Sequence, residues 1–323
     1  MTRMRYLTAT AIACLMLASA AWAQSFPSRP IRFIVPFPPG TTTDVVARLV
    51  ALKSAERLGQ QVVVDNRSGA SGTIGVETVA RAAPDGYTWG LGTTTTHALA
   101  HILNPKLGYD PVRDFAPVAL LGESPYFLTT NPAFPASNVR EFVAHARANP
   151  GKVSYASVGN FSMGHLAGEL LKKAGGFEMV HVPYKGSNLA LIDLLAGRIQ
   201  LNISTIAASL PHVRAGKLRA LAVASPQRVA TLRDTPTVVE SGFPGYEAVL
   251  WVGAFVPART PGTVLARLQR ELDAVLRSAE MRDALAEQAF EPGKLAPAAF
   301  AARIREDTAR WRKVISESGL KPE

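Results

Sequence analysis

Apolar positions in residues 31–103 switch between two periods, strand-like and helix-like, in three successive pairs. Residues 31–37 are a short, nearly unbroken apolar run of β type. In 43–58, Val46, Leu49, Val50 and Leu58 fall near one face of a helix. Residues 61–65 read as a second strand and 72–83 as a helix stopped by Pro84-Asp85-Gly86; 87–92 is a third strand and 96–103 a third helix. This alternation predicts a parallel sheet covered on both faces.

The pattern then restarts. Residues 118–129 are strand-like but interrupted by Gly122 and Pro125, and 139–148 follows as a helix. Strands are predicted at 153–156, 180–182, 201–204 and 218–224, and helices at 163–173, closed by Gly175-Gly176, and at 189–195. An apolar strand at 249–256 precedes helices at 261–278 and 297–318. The fold class is therefore α/β, with two lobes around a ligand cleft. One lobe takes 24–121 plus 251–323 and the other 122–250, with crossing segments near 118–121 and 249–255. In open parallel sheets, ligands sit beyond the carboxyl ends of the strands, and small-molecule sites concentrate between domains.

The N-terminus changes the compartment. Arg3 and Arg5 precede an uncharged, mostly apolar stretch over 6–20, and Ala21-Trp22-Ala23 offers a small-x-small cleavage site. Residues 1–23 read as a secretory signal peptide cleaved after Ala23, too short for the roughly 20 residues of a membrane span. About 300 mature residues exceed one hydrophobic core, which makes two domains the expectation. Cys14 is the only cysteine; the apolar run continues through Leu15-Met16-Leu17, which favours an incidental residue over a lipid-modified one. Disulfides, cysteine nucleophiles and thiolate metal sites are then excluded from the mature chain. The formal charge is +10; without Arg3 and Arg5, 33 basic residues face 25 acidic ones. They are scattered: Arg303, Arg305 and Arg310 alternate with Glu306, Asp307 and Glu317, and no basic stripe is interleaved with aromatics. Nucleic acid is not the expected partner, and a diffuse positive field modestly favours anionic solutes.

Three strand-to-helix turns carry the candidate chemistry. The first runs through Phe37, Pro38, Pro39, Gly40, Thr41, Thr42 and Thr43 to Asp44. A helix N-terminus offers unpaired N–H groups and partial positive charge, a ready anion site, although Thr42, Thr43 or Asp44 could equally be an ordinary cap. The second runs through Gly159, Asn160, Phe161, Ser162, Met163 and Gly164 to His165. The third places Thr93, Thr94, Thr95 and Thr96 before His97, four hydroxyls that could line the cleft or form a β-rich loop with one cap. Main-chain N–H groups of Thr41–Thr43 and of 161–163 are expected to converge on one ligand with these hydroxyls. Enzyme readings fare poorly. Ser162 lies in Asn160-x-Ser162-x-Gly164, which lacks the first glycine of a nucleophile elbow. His97 and His101 have zinc-compatible spacing but no Glu between them and no third ligand. Gly69-x-x-Gly72-x-x-Gly75 misses the dinucleotide spacing and marks a tight turn, and no P-loop is present. No cofactor, metal or catalytic residue is expected.

The chain resembles the Bordetella uptake gene (Bug) family, the periplasmic receptors of tripartite tricarboxylate transporters. The resemblance spans the mature chain: Arg29-Pro30-Ile31-Arg32, Ile34-Val35-Pro36-Phe37-Pro38-Pro39-Gly40, Asp44-Val45-Val46-Ala47-Arg48, Leu58-Gly59-Gln60, Asp65-Asn66-Arg67 and Ala83-Pro84-Asp85-Gly86-Tyr87-Thr88. It continues in Tyr109-Asp110-Pro111-Val112-Arg113-Asp114-Phe115, His181-Val182-Pro183-Tyr184-Lys185-Gly186, Leu210-Pro211-His212 and Ala215-Gly216-Lys217-Leu218-Arg219-Ala220-Leu221-Ala222-Val223. It implies a type II periplasmic-binding-protein fold and helices opening near Thr43 and Ser162 that grip a ligand carboxylate. It also implies a monomeric receptor that delivers its solute to transporter membrane subunits. The site then extends to Tyr184, Lys185, Gly186, Ser204 and Thr205. Two positions depart from the family: Thr41 replaces a usual second glycine, and Ser204 stands where many relatives carry an Asp able to take a ligand ammonium. A non-amine organic acid is therefore the favoured ligand. The competing readings are a periplasmic protein that reports its ligand to a sensor kinase, and a secreted hydrolase.

Overall fold

The structure is a computed structural model that describes residues 26–317, so the leader, its cleavage site, Cys14 and Ser318 lie outside the described residues. In the first sheet, β1 (Ile31–Val35) pairs in parallel with β2 (Val62–Asn66) and β3 (Thr88–Thr93). The sheet is not wholly parallel, because β9 (Val249–Pro257) runs antiparallel to both β3 and β4 (Phe115–Thr130). In the second sheet, β5 (Ser154–Ser157) pairs in parallel with β6 (Val180–Pro183) and β7 (Leu201–Thr205), and β4 lies antiparallel between β7 and β8 (Arg219–Val223).

The two sheets share β4, whose 16 residues form one strand with two sets of partners. It pairs with β9 through Pro125 and with β7 from Tyr126 onwards. Register shifts at Pro117/Ala119, Leu120/Gly122 and Leu128/Thr129 mark irregularities that let so long a strand bend. The returning chain is stitched in at the same place: Tyr126 donates to the Ala248 carbonyl, Ala248 to that of Ala224, and Ala224 to that of Tyr126. The change of partner falls between Pro125 and Tyr126. Gly122 and Pro125, which appear in sequence to interrupt a strand, sit inside it.

Helices cover both sheets. α1 (Thr42–Leu58) buries Val46, Ala47, Val50, Ala51 and Leu58, and Phe33 and Trp89 meet edge-on at 5.8 Å beneath it. Next come α2 (Thr73–Ala80) and α3, a π-turn at Thr95–Leu99 running on as Ala100–Leu103. The second sheet carries α4 (Val139–Ala148), α5 (Met163–Gly175), α6 (Ser187–Leu195) and α7 (Ile206–Arg214). The C-terminal part adds α8 (Gly262–Arg277), α9 (Ala279–Glu287), the short β10 (Glu291–Pro292) on β4, and α10 (Pro297–Glu317). α7 and α9 are additions to the sequence-based expectation. Pro211 within α7 argues against a helix locally. At Ser278 the backbone turns extended, and its side chain caps Met281 N–H, which starts a separate helix.

α10 braces the hinge. Buried Asp307 accepts from Trp251 Nε1 at 2.8 Å, Arg303 Nε at 3.1 Å and Arg310 Nη2 at 3.1 Å. Arg303 and Arg310 each also reach Glu247 at 2.7 Å, where the chain crosses between lobes. Lys173 of α5 pairs with Glu317 at the end of the same helix.

Candidate functional site

The first turn is held open by its own acid. Gly40, with φ +79°, donates its N–H to Asp44 Oδ2 at 2.9 Å. Asn66 Nδ2 donates to Asp44 Oδ1 at 2.8 Å and to the Phe37 carbonyl at 3.0 Å, and Arg48 Nε donates to Asp44 Oδ2 at 3.0 Å. Burial works against the Asp44 charge, but these bonds outweigh it and hold the carboxyl below its ordinary value. Asp44 is thus a buried strut whose carboxylate is committed to Gly40, Arg48 and Asn66. Thr41 is the N-cap in extended conformation, so no glycine is required there; its hydroxyl donates to the Pro38 carbonyl at 2.9 Å and lies 3.2 Å from Thr43 Oγ1. The Thr41 N–H has a long contact of 3.4 Å to the Pro38 carbonyl, whereas no acceptor among the described residues takes the N–H of Thr42 or Thr43. Pro39 and Gly40 are exposed and Phe37 half-buried.

In the second turn, two of the three expected donors are already spent. Phe161 N–H donates to His165 Nδ1 at 2.9 Å, and Ser162 N–H to the Gly159 carbonyl at 3.3 Å. Ser162 Oγ caps His165 N–H, so the first N–H groups of α5 without an acceptor are those of Met163 and Gly164. Met163 itself is buried, Ser162 half-buried and Asn160 exposed; Gly159 and Phe161 take φ of +124° and +57°.

The threonine run is corrected. Thr93, Thr94 and Thr96 are buried and committed to the protein. Thr93 N–H donates to Thr96 Oγ1 at 2.9 Å, and Thr94 Oγ1 donates to the Val249 carbonyl while accepting from Trp251 N–H. Thr95 alone is half-exposed. His97 also leaves the site: it is 1% exposed, stacked on Phe255 at 4.1 Å and edge-on to Phe115. Burial pushes it down to about 3, so it is a neutral core residue. Ser204 is buried in a polar knot with Asn202 and Ser209, at 2.9 and 3.1 Å. Tyr184 spends its hydroxyl on Asp193 at 2.7 Å, while Lys185 is exposed and Gly186 precedes α6. Thr205, half-exposed, is the N-cap of α7 and makes no side-chain cap bond.

Three contributors escaped the sequence reading. The N-terminus of α7 adds the N–H groups of Ile206 and Ala207, again without acceptors. Ala70 and Ser71 both adopt left-handed φ, +45° and +54°, beside Gly72. A Cβ on Gly72 would lie 2.9 Å from Thr96 Cγ2 and 3.3 Å from Phe37 Cζ, so this loop packs against both other first-lobe turns. Ser157 Oγ meets His181 Nε2 at 2.7 Å and the Gly159 carbonyl at 2.9 Å, supporting the second turn from below. His181 appeared in sequence only as part of a strand motif; its pairing with Ser157 arises because β5 and β6 run in register.

A chain of strand pairings links the two groups of turns across the hinge. Thr94 is bound to Val249, Val249 pairs with Pro125, and Tyr126 pairs with Thr205. Three strand spacings of about 4.8 Å put the ends of β3 and β7 roughly 15 Å apart. A separate groove of about 300 Å³ beside the hinge is lined by Glu123, Arg228, Glu247, Val249 and Arg303 and by none of these turn residues. Among the described residues, no group of three or more His, Cys, Asp or Glu could hold a metal, and no helix is long and apolar enough to cross a membrane.

α5 sits directly on β7: a Cβ on Gly164 would lie 2.5 Å from the Ile203 carbonyl oxygen. Gly164→Ala is expected to lift the N-terminus of α5 off the sheet at a cost of about 1–3 kcal/mol and to weaken ligand binding. Thermal unfolding and calorimetry on the variant check this; an unchanged melting temperature would refute the close packing.

Residues 46–320 match the family model described as tripartite tricarboxylate transporter family receptor. The chain is 36% identical over 322 residues to Protein BugT of Bordetella pertussis, covering 99% of each. Among solved structures, it is similar to one described as a periplasmic transporter, with 40% identity and a TM-score of 0.83 over 93% of this chain and all of that one. It is also similar to Rpa4515 of R. palustris with adipate, with 38% identity and a TM-score of 0.84 over the same shares.

Proposed function

From the premise that this chain belongs to the tripartite tricarboxylate transporter receptor family, as a periplasmic solute-binding receptor and not an enzyme, we propose that its cleft captures a non-amine dicarboxylate for the transporter's membrane subunits. One observation carries this reading: helices α1, α5 and α7 all open at strand ends beside the hinge with N–H groups that no acceptor among the described residues takes. Such groups bind carboxylates by charge-assisted hydrogen bonds, and the helix dipoles add to the attraction. Asp44 is the only acidic residue in the turns, and its carboxylate is fully engaged, which leaves no free carboxylate there to pair with an ammonium. The adipate carried by the R. palustris relative is a dicarboxylate of this kind. The ligand is gripped by Thr42 and Thr43 from one lobe and by Met163, Gly164 and Ile206 from the other, with Thr95, Ser162 and Thr205 lining the space between. The lobes divide as 24–121 plus 251–323 and 122–250, the leader is removed after Ala23, and the receptor acts as a monomer.

A thermal-shift panel of C4–C6 dicarboxylates tests this, because a bound ligand stabilises the fold by mass action. The sharper test is Thr42→Pro. Thr42 is the first helical position, and Thr41 has φ −72° and ψ 156°, the conformation a residue before proline prefers. Proline at Thr43 would instead force Thr42 out of the helix. Thr42→Pro is expected to melt within about 2 °C of wild type while losing about tenfold in affinity, the worth of one charge-assisted hydrogen bond. Undiminished affinity, or a panel in which no dicarboxylate raises the melting temperature, would count against the proposal.

A further inference from the structure

The turn before α5 is built on two histidines. Phe161 holds a left-handed φ of +57°, unusual for a bulky side chain, and its N–H points at His165 Nδ1 at 2.9 Å. An N–H can only donate, so His165 Nδ1 must present its lone pair and the ring proton must sit on Nε2, which lies 4.0 Å from Glu169 Oε1. Below it, Ser157 Oγ donates to the Gly159 carbonyl at 2.9 Å and therefore accepts from His181 Nε2 at 2.7 Å. The two rings stack on each other at 3.8 Å and 6°.

We propose that His165 is a positioning residue for the second-lobe half of the site. Its Nδ1 lone pair holds Phe161 in the turn that aims the first N–H groups of α5 at the ligand, and its protonation releases that turn. This rests on the reading of the α5 N-terminus as a ligand site. The effect on affinity is separate from any ionisation of the ligand, because a proton on Nδ1 would set N–H against N–H at Phe161.

The charged and titratable surroundings favour a neutral ring. Glu169 and Lys172 lie beside it on α5, Tyr155 faces it from β5 and His181 from β6, and Ser157 bonds His181. Glu178 reaches in through Lys172, and Tyr246 bonds the Ala167 carbonyl on the same helix. Burial depresses His165 first, Glu169 opposes this and Lys172 adds to it; burial and the neighbouring His165 hold His181 down to about 4. A histidine whose folded value lies below its unfolded one leaves stability intact above the unfolded value of about 6.5. That stability declines as pH falls below the unfolded value, and the turn itself is released where the folded ring takes up its proton, further to the acid side.

Nitrogen-15 NMR on the ligand-free protein tests this directly. At neutral pH, His165 Nδ1 should be unprotonated, and on acidification the Phe161 amide should shift together with the His165 ring while the Trp251 amide, a control for global unfolding, stays put. His165→Asn keeps an acceptor at the δ position and cannot titrate; it should protect the Phe161 amide from exchange at least tenfold better than His165→Leu and abolish the acid shift. With adipate as probe, the ratio of H165N to wild-type affinity should rise at least tenfold as pH is lowered from 7.5 through the His165 titration that the NMR measures. Equal Phe161 exchange in wild type, H165N and H165L, or a proton on Nδ1 at neutral pH, would overturn the proposal. Intact co-titration of Phe161 and His165 without adipate binding would support the device and count against the adipate-like ligand alone.

Discussion

Converting the ligand's carboxylates to primary amides is expected to weaken binding by at least a hundredfold. The N–H groups of Thr42, Thr43, Met163 and Gly164 are donors, and none of the helix openings supplies a free carboxylate to accept an amide N–H. A carboxylate receives hydrogen bonds worth about 1.5–3 kcal/mol each when charged, against about 0.5–1.5 kcal/mol for a neutral carbonyl. Losing that difference at two ends, and turning an NH₂ group towards other donors, removes about 3 kcal/mol, or a hundredfold in Kd. Titration calorimetry of the acid and its diamide reads this directly. Equal affinities would remove the anion grip while leaving the family membership untouched.

The second large effect concerns the hinge. Asp307→Ala is expected to lower the free energy of unfolding by about 3–5 kcal/mol, the usual consequence of removing one partner from a buried charge cluster. Arg303 and Arg310 would keep only Glu247 as a close partner, with Glu123 at 3.9 Å from Arg303, and Trp251 Nε1 would be orphaned inside the core. For a chain of this size, a melting temperature about 5–8 °C lower follows. Asp307→Asn, which keeps an acceptor for Trp251, should lose less. A drop under about 2 °C for Asp307→Ala would show that water relaxes into the cluster.

The layered α/β plan and the strand-to-helix turns were legible because both are written in local sequence. Apolar strands buried on both faces read as runs, and Pro38-Pro39-Gly40 followed by threonines announces a helix start. What was not legible depended on partners far along the chain. The hydroxyl of Thr94 is consumed by Val249, 155 residues away, and His97 is enclosed by Phe115, Trp251 and Phe255. Asp44 looks like a free cap until Asn66, from the next strand, occupies it. α7 was hidden by Pro211 at its sixth position, although Thr205 before an apolar run is an N-cap signal.

Because β4 belongs to both sheets, the lobes are not interchangeable modules. A chimera that takes its second lobe from a relative must cut within one continuous hydrogen-bonded ribbon, at Pro125 and Tyr126, and again near Ala248. Each donor half would then have to arrive in the same register as the half it replaces, since a slip of one residue turns every side chain of a strand to the opposite face. New specificities are therefore more readily acquired by exchanging the turns at the strand ends than by shuffling lobes.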